Sequence, residues 1–264
     1  MEHIYAILKY DGSGIDEPTS SRKNCQADDS CRVFNCPFQG YASHLDKVCI
    51  NLNDVVSAIA TTELTTEYGL NQEADTTLFL NVGFNWKASI NAKQFVHPSV
   101  PYSEPNFRNG LVNCDKLCDR PGKGCTCTSI ETIPFNKTID LVLSNYKPGE
   151  RNVDHHVMHL HGHSFAVLKT GYPPYNISTG FYAGQNTDII CESNLCKIPQ
   201  WNGSQPQDFN FVNPPIKDVV MVPARGYVVI RFRSTNPGPW FFHCHNSNHM
   251  LEGKLATANF LIHE

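Results

Sequence analysis

Two short stretches of this chain crowd side chains that hold metals. One reads His155-His156-Val-Met-His159-Leu-His161-Gly-His163, the other Trp240-Phe-Phe-His243-Cys244-His245-Asn-Ser-Asn-His249. Together they carry eight of the chain's twelve histidines within nineteen residues, with a thiol between two imidazoles. A lone histidine usually packs in a core or sits on a surface; clustering at this density points to ligation. On an extended strand, side chains alternate faces with a period of two residues. His159, His161 and His163 therefore point one way and His156 the other. His243 and His245 share a face, and Cys244 points away from both. Two metal sites follow, on opposite sides of one pair of strands. Cys244, His156 and His249 form the first; His159, His161, His243 and His245 form the second.

Two imidazoles and a thiolate are the ligand chemistry of a blue-copper electron-transfer centre. An all-imidazole set suits copper that meets oxygen. Cys244 is covalently continuous with His243 and His245, which gives a short through-bond route from one site to the other. Such a pair suits one-electron oxidation of a donor at one centre and multi-electron reduction of an acceptor at the other. A zinc hydrolase is a distant reading, because a thiolate between oppositely directed imidazoles makes a poor single zinc site.

The elements that must position these clusters read as strands. Thr77–Val82, Lys87–Ile90, Ile139–Leu143, Phe165–Leu168, Val219–Val222, Tyr227–Phe232 and Ala256–Ile262 are short apolar or alternating segments between turn signals. With 17 Pro and 17 Gly, they argue for an all-β fold, a sandwich or barrel. Apolar residues at 41% and charged residues at 17% suit a packed core. A net charge of -4 gives no electrostatic reason to expect nucleic acid, and no apolar run approaches the roughly 18 residues of a membrane span. Residues 3–10 read as a short strand, and residues 13–51 as a polar, Cys-rich linker.

Cys114, Cys118, Cys125 and Cys127 are open to two readings, zinc ligands or disulfide partners, and the disulfide reading is favoured. Cys191 and Cys196 are expected to close a small loop. Setting Cys244 aside leaves ten of the 11 cysteines, an even number that permits complete pairing. Sequons at Asn136, Asn176 and Asn202 join the cysteine density in favouring an extracellular, glycosylated protein. No signal peptide follows Met1, so the chain is expected to start partway through a longer protein.

The spacings H-x-x-H-x-H-G-H and H-C-H-x-x-x-H resemble the C-terminal copper signatures of three-domain multicopper oxidases: laccases, ascorbate oxidase and related ferroxidases. AILKYDG resembles the last strand of their middle domain. LFLNVGF, INAKQFVHPSVPY and NPPIKDVVMVPARGYVVIRFRSTNPGPWFFHCH resemble successive pieces of their third domain. The resemblance implies a cupredoxin-like Greek-key fold. It divides the chain into a middle-domain remnant over 1–12, a linker over 13–51 and a plastocyanin-like domain over 52–264. It also implies type 1 copper on His156, Cys244 and His249, type 2 copper on His159, and a type 3 pair on His161, His243 and His245. His163 matches a position that is not a ligand in that family, so a packing role is expected.

Two departures stand out. The family's oxygen-reducing cluster uses eight histidines, four of them from H-x-H motifs of the first domain, and no H-x-H occurs here outside the two clusters. His3, His44, His97 and His263 are isolated. This chain alone is therefore expected to be inactive, and to need its N-terminal domains or a second chain. At the axial position, where the family has Met, Leu or Phe after a glycine, Gly253 is followed by Lys254. An ammonium has no lone pair for copper. The expectation is that its aliphatic stem packs near the metal while the charge reaches water, with Leu255 as a less favoured substitute through a slipped register.

Three functions remain in play. One is a laccase-like oxidase that takes single electrons from phenol-type donors and reduces O2 to water. A ferroxidase is its neighbour, with Asp154 or Glu252 available beside the type 1 histidines to catch Fe2+, although solvated loop charges are the favoured reading of both. The third is a non-catalytic copper-binding module.

Overall fold

The computed structural model describes residues 10–12, 14, 31–45, 47–84, 86–118, 120, 122–147 and 154–261. The strand read over residues 3–10 lies almost wholly outside these residues, as do His3, Cys25, Ile262 and His263.

Ten strands build two five-stranded sheets. In chain order they are β1 (Thr76–Asn81), β2 (Ile130–Pro134), β3 (Thr138–Ser144), β4 (His156–Leu160) and β5 (Phe165–Gly171), then β6 (Ile216–Lys217), β7 (Val219–Val222), β8 (Tyr227–Arg233), β9 (Gly238–Cys244) and β10 (Leu255–Leu261). The first sheet runs β6-β5-β8-β3-β1 and the second β7-β4-β9-β10-β2. From β3 onward the chain passes repeatedly between the two sheets, which makes this an all-β sandwich with Greek-key connections. Pairing is antiparallel except at the edges, where β1 lies parallel to β3 and β2 parallel to β10.

The inner faces supply the main core. Ile139, Leu141 and Leu143 of β3 and Val228, Ile230 and Phe232 of β8 meet Met158 and Leu160 of β4 and Phe242 and Cys244 of β9. The outer face of the first sheet is covered too. A helix, α1 (Thr61–Tyr68), brings Leu64 and Tyr68 onto Val142, Ala166, Leu168, Tyr227 and Val229. All seven residues of β3 are buried, which erases the alternation expected of a half-exposed strand. On that outer face Arg231 and Asp140 stand opposite each other and form a buried bidentate pair, 2.7 and 2.9 Å.

One expected strand fails. Lys87–Ile90 runs as bends, with Lys87 in the left-handed region (φ 51) and Ile90 forming only an isolated bridge to Lys93. Ala88, Ser89 and Ile90 are consecutively buried, so the alternation seen in the letters is not the alternation of a pleat. The cysteines outside the clusters staple loops: Cys36–Cys49, Cys114–Cys127, Cys118–Cys125 and Cys191–Cys196 are disulfides. This leaves the 114–127 group no thiolates for zinc. Asn136, Asn176 and Asn202 are all exposed. Among the described residues no helix is long and apolar enough to cross a membrane.

Candidate metal centres on two faces of one strand pair

The two strands β4 and β9 lie side by side, with His243 opposite His159 and Cys244 opposite Met158. Alternation then sorts the side chains. His156, Met158 and Leu160 of β4 turn into the sandwich, as do Phe242 and Cys244 of β9. His159 and His243 turn the other way, and His245, one residue beyond β9, follows them.

On the inner side, His156 and Cys244 are completely buried. His249 arrives from the loop after β9. Asn246 caps a single turn, α2 (Ser247–Leu251), by accepting from the Asn248 N–H. That turn folds the chain back so that His249 Nδ1 stands 3.5 Å from Cys244 Sγ. One donor atom each from His156, Cys244 and His249 lies within 4.8 Å of the others. Gly253, at φ +105, ends the turn; a Cβ there would meet Phe95 backbone at 2.9 Å. Burial holds the His156 imidazole far below its usual range, with the Lys254 amine pushing the same way. Burial likewise depresses His249 and raises the Cys244 thiol. Neutral imidazoles beside a buried thiol are the state in which this trio accepts a metal, because binding exchanges the thiol proton for the cation.

Lys254 corrects the sequence expectation. It is fully buried. Its Nζ donates to the Val82 carbonyl at 2.6 Å and stands 2.9 and 3.2 Å from Nε2 and Nδ1 of His156. It also lies 3.6 Å from the centroid of the Phe84 ring. The amine therefore does not reach water, and burial pushes its pKa down to about 7. The physical reason lies in the backbone. Lys254 N–H donates to His249 and its carbonyl accepts from Cys244, which pins the residue against the trio with no solvent within reach. The register has not slipped: Leu255 pairs with His243.

On the outer side four imidazoles gather. His159 and His161 rings are 4.8 Å apart, His161 and His243 5.1 Å, and His243 and His245 5.7 Å. His161 Nε2 and His243 Nε2 approach to 3.0 Å. His159 Nδ1 donates to the Asp218 carbonyl and His243 Nδ1 to the Cys244 carbonyl, 2.7 and 3.0 Å. A neutral ring that donates through Nδ1 keeps a free lone pair on Nε2, so both rings are oriented as ligands. His245 is exposed and His161 partly so.

His163 does not join this face. The strand ends at Leu160, and Gly162 turns the chain in the left-handed region (φ +71). His163 instead packs against Phe232 and Trp240, with ring centroids 5.3 and 6.3 Å away. Period-two reasoning was carried one turn too far. Phe84, by contrast, gave no signal in the sequence, yet its ring meets both His156 and His249, 5.1 and 4.7 Å between centroids.

Known proteins resemble this chain. The profile of the multicopper oxidase family matches residues 97–259. Laccase-11 of Arabidopsis thaliana is 32% identical over 66% of this chain and 29% of its own length. An iron transport multicopper oxidase of Saccharomyces cerevisiae is 32% identical over 68% of this chain and 26% of its own. The chain thus spans under a third of the length of these curated relatives. A solved laccase from Botrytis aclada superposes with a TM-score of 0.50 at 19% identity, covering 96% of this chain and 36% of that one. That likeness bears on the fold alone, which is cupredoxin-like.

Proposed function

This chain belongs to the multicopper oxidase family, and we propose that it supplies a complete type 1 copper site and half of an oxygen-reducing cluster to a laccase-like oxidase. The cofactor of the family is copper, and the residues present suit it. The donors are two imidazoles and a thiol, the set that favours blue copper. His156, Cys244 and His249 would hold type 1 copper, His159 type 2, and His161, His243 and His245 the type 3 pair. Bound copper supplies one-electron redox chemistry in the first site and oxygen chemistry in the second.

The observation that carries the reading is the split at Cys244. Its thiol faces the buried trio while the imidazoles of its two chain neighbours face the opposite side, so a few covalent bonds join the two groups of ligands. Burial of His156 and Cys244 keeps water from their donor atoms, and desolvation lowers the pKa of both His156 and His249. Nδ1 hydrogen bonds to carbonyls fix the His159 and His243 rings. The open outer face supplies four imidazoles, and the rest of the cluster would come from N-terminal cupredoxin domains or a second chain. Residues 1–12 as the remnant of such a domain, 13–51 as a linker and 52–264 as the copper domain fit that plan. Secretion, with glycans on Asn136, Asn176 and Asn202, fits the disulfides and the exposure of these asparagines.

The substrate proposed is a phenol-type electron donor, with O2 reduced to water. A second reading, ferroxidase, is favoured by one observation: Asp154 and Glu252 are exposed, and both raise the pKa of His249 through their charge. Carboxylates so placed would bind Fe2+ beside the trio. Oxygen uptake with a phenol or with Fe2+ by the assembled enzyme, with this chain joined to the domains that complete the cluster, separates a phenol oxidase from a ferroxidase. The chain alone is expected to consume no oxygen with either; uptake by the purified chain would defeat the half-cluster proposal.

A further inference from the structure

Lys254 has no part in the ligand set proposed above, and it stands against that set. Its amine is in contact with His156, and its charge acts on His156, Cys244 and His249 alike. We propose that the Lys254 amine is a built-in competitor for the metal of the His156–Cys244–His249 trio, so that copper enters by displacing it from His156. This inference rests on the reading that the trio is a copper site.

The geometry separates a competitor from a ligand. Nζ is 2.9 Å from Nε2 and 3.2 Å from Nδ1 of His156. An atom nearly equidistant from the two ring nitrogens lies along neither lone pair, so it crowds and charges the space beside the ring without saturating a ligand atom. The surroundings of Nζ are those of a bound cation: a carbonyl oxygen of Val82 and the face of Phe84. A metal at about 2.0–2.1 Å from either nitrogen would lie within roughly 5.3 Å of Nζ as it stands. At that range a protonated amine repels copper, and even a neutral one takes up room in a closed core. The backbone of Lys254 is held on both sides by Cys244 and His249, so the side chain must yield by its own rotation. Met, Leu or Phe, the residues of the resembling family at this position, carry no amine to displace.

The test is a Cu(I) competition titration against a chromophoric chelator, with the unmodified chain, Lys254→Leu, Phe84→Leu and Cys244→Ser in parallel. Lys254→Leu is expected to bind copper more tightly by about 10-fold or more, from loss of the repulsion. Phe84→Leu, which removes one wall of the cage, is expected to shift affinity the same way by less, and it keeps the test open if Lys254→Leu does not fold. Affinity unchanged in folded variants overturns the proposal. Weaker binding by Lys254→Leu also overturns it, and makes the amine a ligand. Cys244→Ser is expected to lose the site. Undiminished binding by that variant would instead remove the copper reading of the trio itself.

Discussion

The two faces of the β4–β9 pair carry nearly the same side chains and differ in closure. In the inner trio His156 and Cys244 are buried and His249, brought in by the α2 turn, is half-buried against them. Of the outer four imidazoles His243 is buried, His159 and His161 are half-buried and His245 is exposed. A period of two residues is enough to separate them, but packing decides what each becomes. On the proposed reading, one face is a finished site whose ligands the core holds in place, and the other is a surface that needs a partner. If so, the inner site should respond to changes in the core, and the outer site to changes in what docks on it.

The largest expected effect comes from Cys244→Ser. It should abolish the intense thiolate-to-copper absorption completely, whereas His245→Ala should leave that band in place; equal loss in both would erase the distinction between the faces. Next is Phe242→Ala on β9. Its ring is buried in the main core, one residue before His243 and two before Cys244, so truncation should cost about 3–5 kcal/mol of stability in denaturant unfolding and weaken both sites together. Loss of only one would show that the strands do not hold them jointly. The smallest effect is assigned to Gly162→Ala. A Cβ there would lie 2.5 Å from the Trp240 ring at a φ of +71, a strain of about 1–2 kcal/mol. Chemical-shift changes should concentrate on His161 and His163 and spare His249.

The same contrast explains how much was legible in the letters. Sorting of His156 and Cys244 away from His159, His243 and His245 followed from pleat geometry, and the structure keeps it. His163 escaped that rule because Gly162 ends the strand. Lys87–Ile90 failed because burial there follows loop packing rather than a pleat. Lys254 was flagged by its position after Gly253, but its resting place was misjudged. Snorkelling assumes solvent within reach, and here the backbone is pinned by hydrogen bonds to His249 and Cys244 while Val82, Phe84 and His156 enclose the amine. Phe84 and the Val82 carbonyl belong to a distant segment, so only the packing of β1 toward β4 brings them to the site.

The central claim is that this chain alone builds one complete thiolate copper site. Its most direct test is copper loading at excess metal, followed by metal analysis and visible spectroscopy of the unmodified chain and Cys244→Ser. The account predicts a single tightly held copper per chain with an intense thiolate band that vanishes in the variant. Bound copper without that band, or a band that survives the loss of Cys244, would contradict it.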